Sequence, residues 1–258
     1  MSDHIQTSLA DGVLTVTLAR PDKKNAITQA MYAVLAEATN RARTDDAVRV
    51  LLFRSEGDSF SAGNDIADFI AIGSAGGGQV TDAPVFQFLQ SLAKLDKPAV
   101  AAVRGRAVGI GLTLLLHCDL VVVAENALLS VPFVNLALAP EAASSLLLPA
   151  VIGHQRAFEM FALGEAIDGP TAVAWGLANR CVPAEQVDAI AAELALKVAS
   201  RAPNSIRKTK RLMRDAEALW TLMLSEGEAF GSQMSSPEAM EAFMAFSQKR
   251  QPDFSKAG

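Results

Sequence analysis

The chain has 258 residues, 50% of them hydrophobic and 20% charged, with a formal net charge of −5. That length suits one large α/β domain, or one domain with a helical appendage, and the apolar share excludes a disordered chain. The acidic balance offers no basic stripe for nucleic acid, and no apolar run reaches the ~18 residues of a membrane span.

The opening "MSDHIQTSLADGVL" has neither a basic n-region nor an apolar h-region, so it does not read as a signal peptide and a cytoplasmic protein is expected. "GVLTVTLAR" (12–20) alternates as a half-buried strand does. Thr28 then caps a helix that carries Met31, Val34, Leu35 and Ala38 on one face. "VRVLLFRS" (48–55), "PAVAAVRG" (98–105) and "LVVVAE" (120–125) are valine-rich strands, with a helix over 83–96 between two of them. This β-then-α rhythm predicts parallel strands joined by crossover helices. The glycine-rich stretch 73–84 reads as a surface loop, since no Gly-Lys-Ser/Thr follows it.

Near residue 154 the character becomes helical. Val187, Ile190, Ala191, Leu194 and Val198 recur at helical spacing, and "NSIRKTKRLMRDAEAL" and "SPEAMEAFMAFSQKR" predict two more helices, the last with a Phe243, Met244, Phe246 cluster. A division into a core over 1–200 and a helical region over 201–258 follows. Cys118 and Cys181 read as small buried thiols. His4, His117 and His154 have no metal-ligand spacing, and Ser144 and Ser145 lack an adjacent base.

Three stretches carry chemistry. "SFSAGNDIADF" (59–69) and "RGRAVGIGLTLLLHCDL" (104–120) each place small residues at the end of a strand, the second leading into an apolar helix. One backbone N–H from each turn would make a two-donor oxyanion hole. The structural alternatives are an aspartate-capped helix start in the first and tight helix–strand packing in the second. The third stretch, "LALAPEAASSLLLP" (136–149), sets Glu141 among apolar residues with no lysine, arginine or histidine nearby. A buried, unpaired carboxylate holds its proton towards neutral pH, which suits proton transfer. The alternative is a carboxylate that caps the following helix.

"FSAGNDIADF", "RGRAVGIGLTL…CDL", "FVNLALAPEAASS" and "FSQKRQPDFS" together resemble the crotonase (enoyl-CoA hydratase/isomerase) superfamily over nearly the whole chain. The resemblance implies an α/β spiral of ββα repeats with a helical C-terminal trimerisation region, assembled as a homotrimer or hexamer. It implies an acyl-CoA thioester substrate, with CoA part of the substrate and no separate cofactor. The oxyanion donors would be the N–H groups of Asn64 and Ile110. Ala62, Gly63, Asn64, Asp65 and Ile66 would contact CoA, Lys24 a phosphate, and Phe246 and Lys249 the CoA of a neighbouring subunit.

Hydratases of the superfamily carry two glutamates, where this chain has Thr113 and Phe133. Neither replacement supplies or accepts the proton that water addition needs. Glu141 instead falls where the Δ3,Δ2-enoyl-CoA isomerase branch, which the chain resembles most, has its single glutamate. The expectation is therefore a shift of the double bond from 3-enoyl-CoA to trans-2-enoyl-CoA in fatty acid oxidation. Hydration or another enolate reaction with Glu141 as base, and a CoA-thioester-binding protein without turnover, are the alternatives. An RNA-binding member of the fold is disfavoured by the acidic balance.

Overall fold

A computed structural model of the protein describes residues 3–68, 83–248 and 250–256. Most of the glycine-rich stretch read as a surface loop, and Lys249, lie outside these. The chain opens with a hairpin, β1 (Ile5–Ala10) and β2 (Val13–Leu18), closed at Asp11–Gly12, where both residues take positive φ. From β2 the sheet continues in parallel through β3 (Val50–Ser55), β4 (Ala99–Val103), β6 (Leu120–Ala124) and β9 (Arg180–Val182). The crossover rhythm of the sequence is thus the observed topology. β4 is buried throughout, as a parallel strand covered on both faces must be, which is why it reads as an unbroken apolar run.

A second, three-stranded sheet holds β5 (Arg106–Val108), β7 (Leu128–Ser130) and β8 (Ile167–Asp168). Each turn of the chain lays one strand in the large sheet and the next, shorter one beside it: β4 leads to β5 and β6 to β7. β3 leads in the same way to Ser61, which forms a parallel bridge with Ala107 of β5. This is a spiral of ββα repeats. Equivalent points of successive turns lie side by side.

Helices fill the outside. α1 (Gln29–Thr44) starts as its sequence predicts, with Thr28 Oγ1 accepting from Met31 N at 3.3 Å. It packs on α2 (Pro84–Ala93). α3 (Ile110–Thr113) follows β5, and α4 (Ser144–Ile152), α5 (His154–Leu163) and α6 (Gly169–Ala174) precede β9. α7 (Val187–Ala199) lies across β3, β4 and β6. Its buried stripe is Val187, Ala191, Ala195 and Ala199, while Ile190, Leu194 and Val198 are only partly covered. Small side chains let this helix sit close to the sheet.

Two elements differ from the sequence reading. The apolar run "LTLLLHCDL" is not one helix: α3 passes into a 3-10 turn, Leu114–His117, before β6 begins. Asp119 forces the change of direction, since its N–H donates to Ala99 O and its carboxylate accepts from Ala99 N at 2.7 Å. The stretch 204–219 likewise divides into α8 (Pro203–Met213) and α9 (Ala216–Met234), because Asp215 caps the second helix through Glu217 N and Ala218 N. α10 (Pro237–Ser247) ends the helical tail. Among the described residues no helix is long and apolar enough to cross a membrane.

Candidate active site

The turn after β3 and the turn after β5 are sewn together. Ser61 N donates to Arg106 O at 2.9 Å, and Val108 N donates to Ser61 O at 3.0 Å. Gly63 takes φ +95°, and a Cβ there would stand 3.1 Å from Val108 O. Gly63 O accepts from Ile27 N and Asp65 N donates to Ile27 O, so the bonds flanking Asn64 turn its own N–H away from Ile27. Gly109, at φ +54°, donates to Ser130 O and leaves Ile110 as the first residue of α3, with a free N–H. Among the described residues neither Asn64 N nor Ile110 N has a hydrogen-bond acceptor. The spiral therefore brings two unspent donors to the ends of adjacent turns.

Asn64 is held from behind. The buried Tyr32 hydroxyl, on α1, donates to Asn64 Oδ1 at 2.5 Å. Burial, and then the nearby charge of Glu141, raise the phenol well above its ordinary pKa, so Tyr32 stays a neutral donor.

Glu141 is buried, at 9% exposure, and Thr113 Oγ1 donates to its Oε1 at 2.6 Å. Burial raises its pKa to about 7; the Thr113 bond pulls the other way, and the charge of Glu226 adds to the rise. A carboxylate so placed exchanges a proton near neutrality. It does not cap α4: Ala143 is the N-cap, and its N–H and that of Ser145 go to Glu226 of α9 instead. The helix-cap alternative for the Glu141 carboxylate is thereby removed. Ser145 Oγ also donates to Glu226, and Ser144 Oγ is buried without a partner among the described residues.

The two residues after Glu141, Ala142 and Ala143, have φ of +60° and +57°. Left-handed backbone costs an alanine about 1–2 kcal/mol, so this turn persists only where its surroundings hold it. At the carbonyl of Ala142, His117 Nε2 lies 2.8 Å from the oxygen and donates to it, while Nδ1 faces Arg214. Burial, then the Arg214 charge, push His117 down to about 3, so the ring is neutral.

Thr113 and Phe133, the two positions where hydratases carry acids, both border this region. Thr113 spends its hydroxyl on Glu141. Phe133 is buried, stacks on Phe161 at 6.3 Å and is the nearest side chain to the place of a Gly109 Cβ, at 3.9 Å.

The other candidate residues are placed less directly. Asp65 turns to Arg20 in a 2.7 Å ion pair and accepts from Asp68 N, so its side chain orders the turn and starts the helical backbone at Ile66. Lys24 is exposed and paired with Asp58 at 2.6 Å, while its carbonyl accepts from Ala62 N. Ala62 and Ile66 are half-buried beside Asn64. Phe246 is exposed on α10. Sequence reasoning missed Tyr32 and Glu226, whose partners lie 32 and more than 80 residues away. The described residues contain no cluster able to hold a metal ion, and both cysteines are free thiols. The Cys118 thiol is pushed up to about 12 by burial.

Residues 8–257 match the family model described as Enoyl-CoA hydratase/isomerase. The chain is 34% identical over 252 residues to rat enoyl-CoA delta isomerase 2, covering 95% of this chain but 63% of that protein's length. It is 32% identical to 1,2-epoxyphenylacetyl-CoA isomerase of Escherichia coli K12, covering 98% of this chain and 99% of that one. A crystal structure of an enoyl-CoA hydratase/isomerase from Pseudoalteromonas atlantica T6c superposes with a TM-score of 0.91 at 39% identity, covering 98% of this chain and 100% of that one. With this spiral and these matches over almost its full length, the chain has the crotonase fold and belongs to the enoyl-CoA hydratase/isomerase family.

Proposed function

We propose that the protein is an isomerase that moves the double bond of a 3-enoyl-CoA to the trans-2 position, with Glu141 as its one acid–base group. The thioester carbonyl accepts from Asn64 N and Ile110 N. Glu141 removes a proton from carbon 2, and the electrons spread over the dienolate, whose oxyanion the two N–H groups stabilise. The protonated Glu141 then delivers the proton to carbon 4, leaving the double bond between carbons 2 and 3. No proton is gained or lost overall. CoA is part of the substrate, and no separate cofactor enters.

The observation that carries this reading is the buried Glu141 carboxylate, held by Thr113 with its pKa raised to about 7, on a site where Thr113 and Phe133 replace acids. Hydration needs a water oriented by one acid and a second proton donor, and a buried phenylalanine does neither. Purified protein is expected to isomerise 3-hexenoyl-CoA faster than it hydrates crotonyl-CoA by orders of magnitude. Efficient water addition to crotonyl-CoA would overturn the assignment in favour of a hydratase.

A further inference from the structure

Glu226 is a buried carboxylate without a role in the chemistry proposed above. It is 7% exposed, and no described cation pairs with it. Its two oxygens are spent on one short segment: Oε2 accepts from Ala143 N, and Oε1 accepts from Ser145 N and Ser145 Oγ. That segment begins two residues after Glu141 and includes one of the two left-handed alanines. A single acid from the C-terminal helical region thus closes on the strained turn that carries the proposed base.

We propose that Glu226 is a positioning residue for Glu141: it clamps the 142–145 turn and fixes where the Glu141 carboxylate points. The inference rests on the reading of Glu141 as the base. A carboxylate is required because both oxygens face a backbone N–H. A glutamine would turn its own NH2 towards one of these donors and lose that bond. Without the clamp the two left-handed residues relax, and a base displaced by about 1 Å loses on the order of 10²-fold in rate.

Among the described residues, charged and titratable groups reach the surroundings of Glu141 from several elements. Tyr32 of α1 is neutral, Glu226 of α9 is acidic, and His117, ahead of β6, touches the turn only through Ala142 O, with Arg214 behind it. Thr113 of α3 adds a hydroxyl donor. Glu226 raises the Glu141 pKa and Thr113 lowers it, so removing each should move the titration in opposite directions. General disorder of the fold would not produce that opposition.

The test uses the full chain, with kcat and KM for 3-hexenoyl-CoA measured against pH in wild type, Glu141→Gln, Glu226→Gln and Thr113→Val. Glu226→Gln is expected to lower kcat by about 10- to 100-fold with KM little changed, since the thioester is held by other turns. The acidic limb of its kcat profile should move to lower pH, and that of Thr113→Val to higher pH. Unchanged kcat and an unmoved limb in Glu226→Gln, with Glu141→Gln inactive, would overturn the positioning role and leave the base assignment standing. Undiminished turnover in Glu141→Gln would remove the base assignment and this inference with it. If Glu226→Gln does not fold, Ser145→Ala removes the one side-chain donor of the clamp. A fall in its kcat at constant KM supports the proposal, and an unchanged kcat overturns it.

Discussion

Glu141 carries the cost of its proposed role. Its folded pKa of about 7 stands above the ordinary 4.5, so between those values the native state binds more protons than the unfolded state. Stability contributed by the protonated form is present below pH 4.5 and is lost as pH rises to 7. The shift corresponds to about 3 kcal/mol. Glutamine is neutral at every pH, so Glu141→Gln should be more stable than wild type at pH 8, by up to about 3 kcal/mol, and nearly equal to it at pH 4. Denaturant unfolding at the two pH values checks this; an equal difference at both would place the carboxylate in water. The isolation of this acid was legible in the sequence, because 136–149 contains no cation to pair with it. Its neighbours were not. Glu226 reads in the sequence as one more polar position of a helix, and nothing local ties it to a turn 81 residues earlier.

At the scale of elements, the proposed oxyanion hole depends on two turns that the spiral lays next to each other. Gly63 sits at the contact, with positive φ and Val108 O facing the place where a Cβ would be. Gly63→Ala should cost about 1–3 kcal/mol through backbone strain and pull Asn64 N out of line. A lower melting temperature together with reduced turnover is the expected pair of results; unchanged turnover would free Asn64 N of its proposed role. The valine-rich strands and the Thr28 cap were legible, because periodicity and capping are local signals. The strands β5, β7 and β8 were not, since two or three residues make no period. The apolar run 112–120 misled for a different reason: helical propensity there yields to Asp119, which is tied to Ala99 and to Lys210 of α8 at 2.7 Å.

Across the whole molecule, the C-terminal helices do two things. Inward, Lys210, Arg214 and Glu226 reach Asp119, His117 and the 142–145 turn, so the tail takes part in the architecture of the site. Outward, Leu212, Met213, Met240, Met244 and Phe246 remain exposed, an apolar surface that a monomer would leave in water. We expect these helices to join a trimer, or a hexamer of two trimers, and sedimentation at micromolar concentration should show it; a monomer would contradict that assembly. The central claim lies with Glu141, and kcat of the Glu141→Gln variant on 3-hexenoyl-CoA tests it most directly, read beside its affinity for the CoA thioester. Glutamine keeps the shape but carries no transferable proton, and the proposed oxyanion donors are backbone groups elsewhere. Turnover should therefore fall by at least ~10²–10⁴-fold with thioester affinity nearly unchanged. Near-normal turnover would contradict the account.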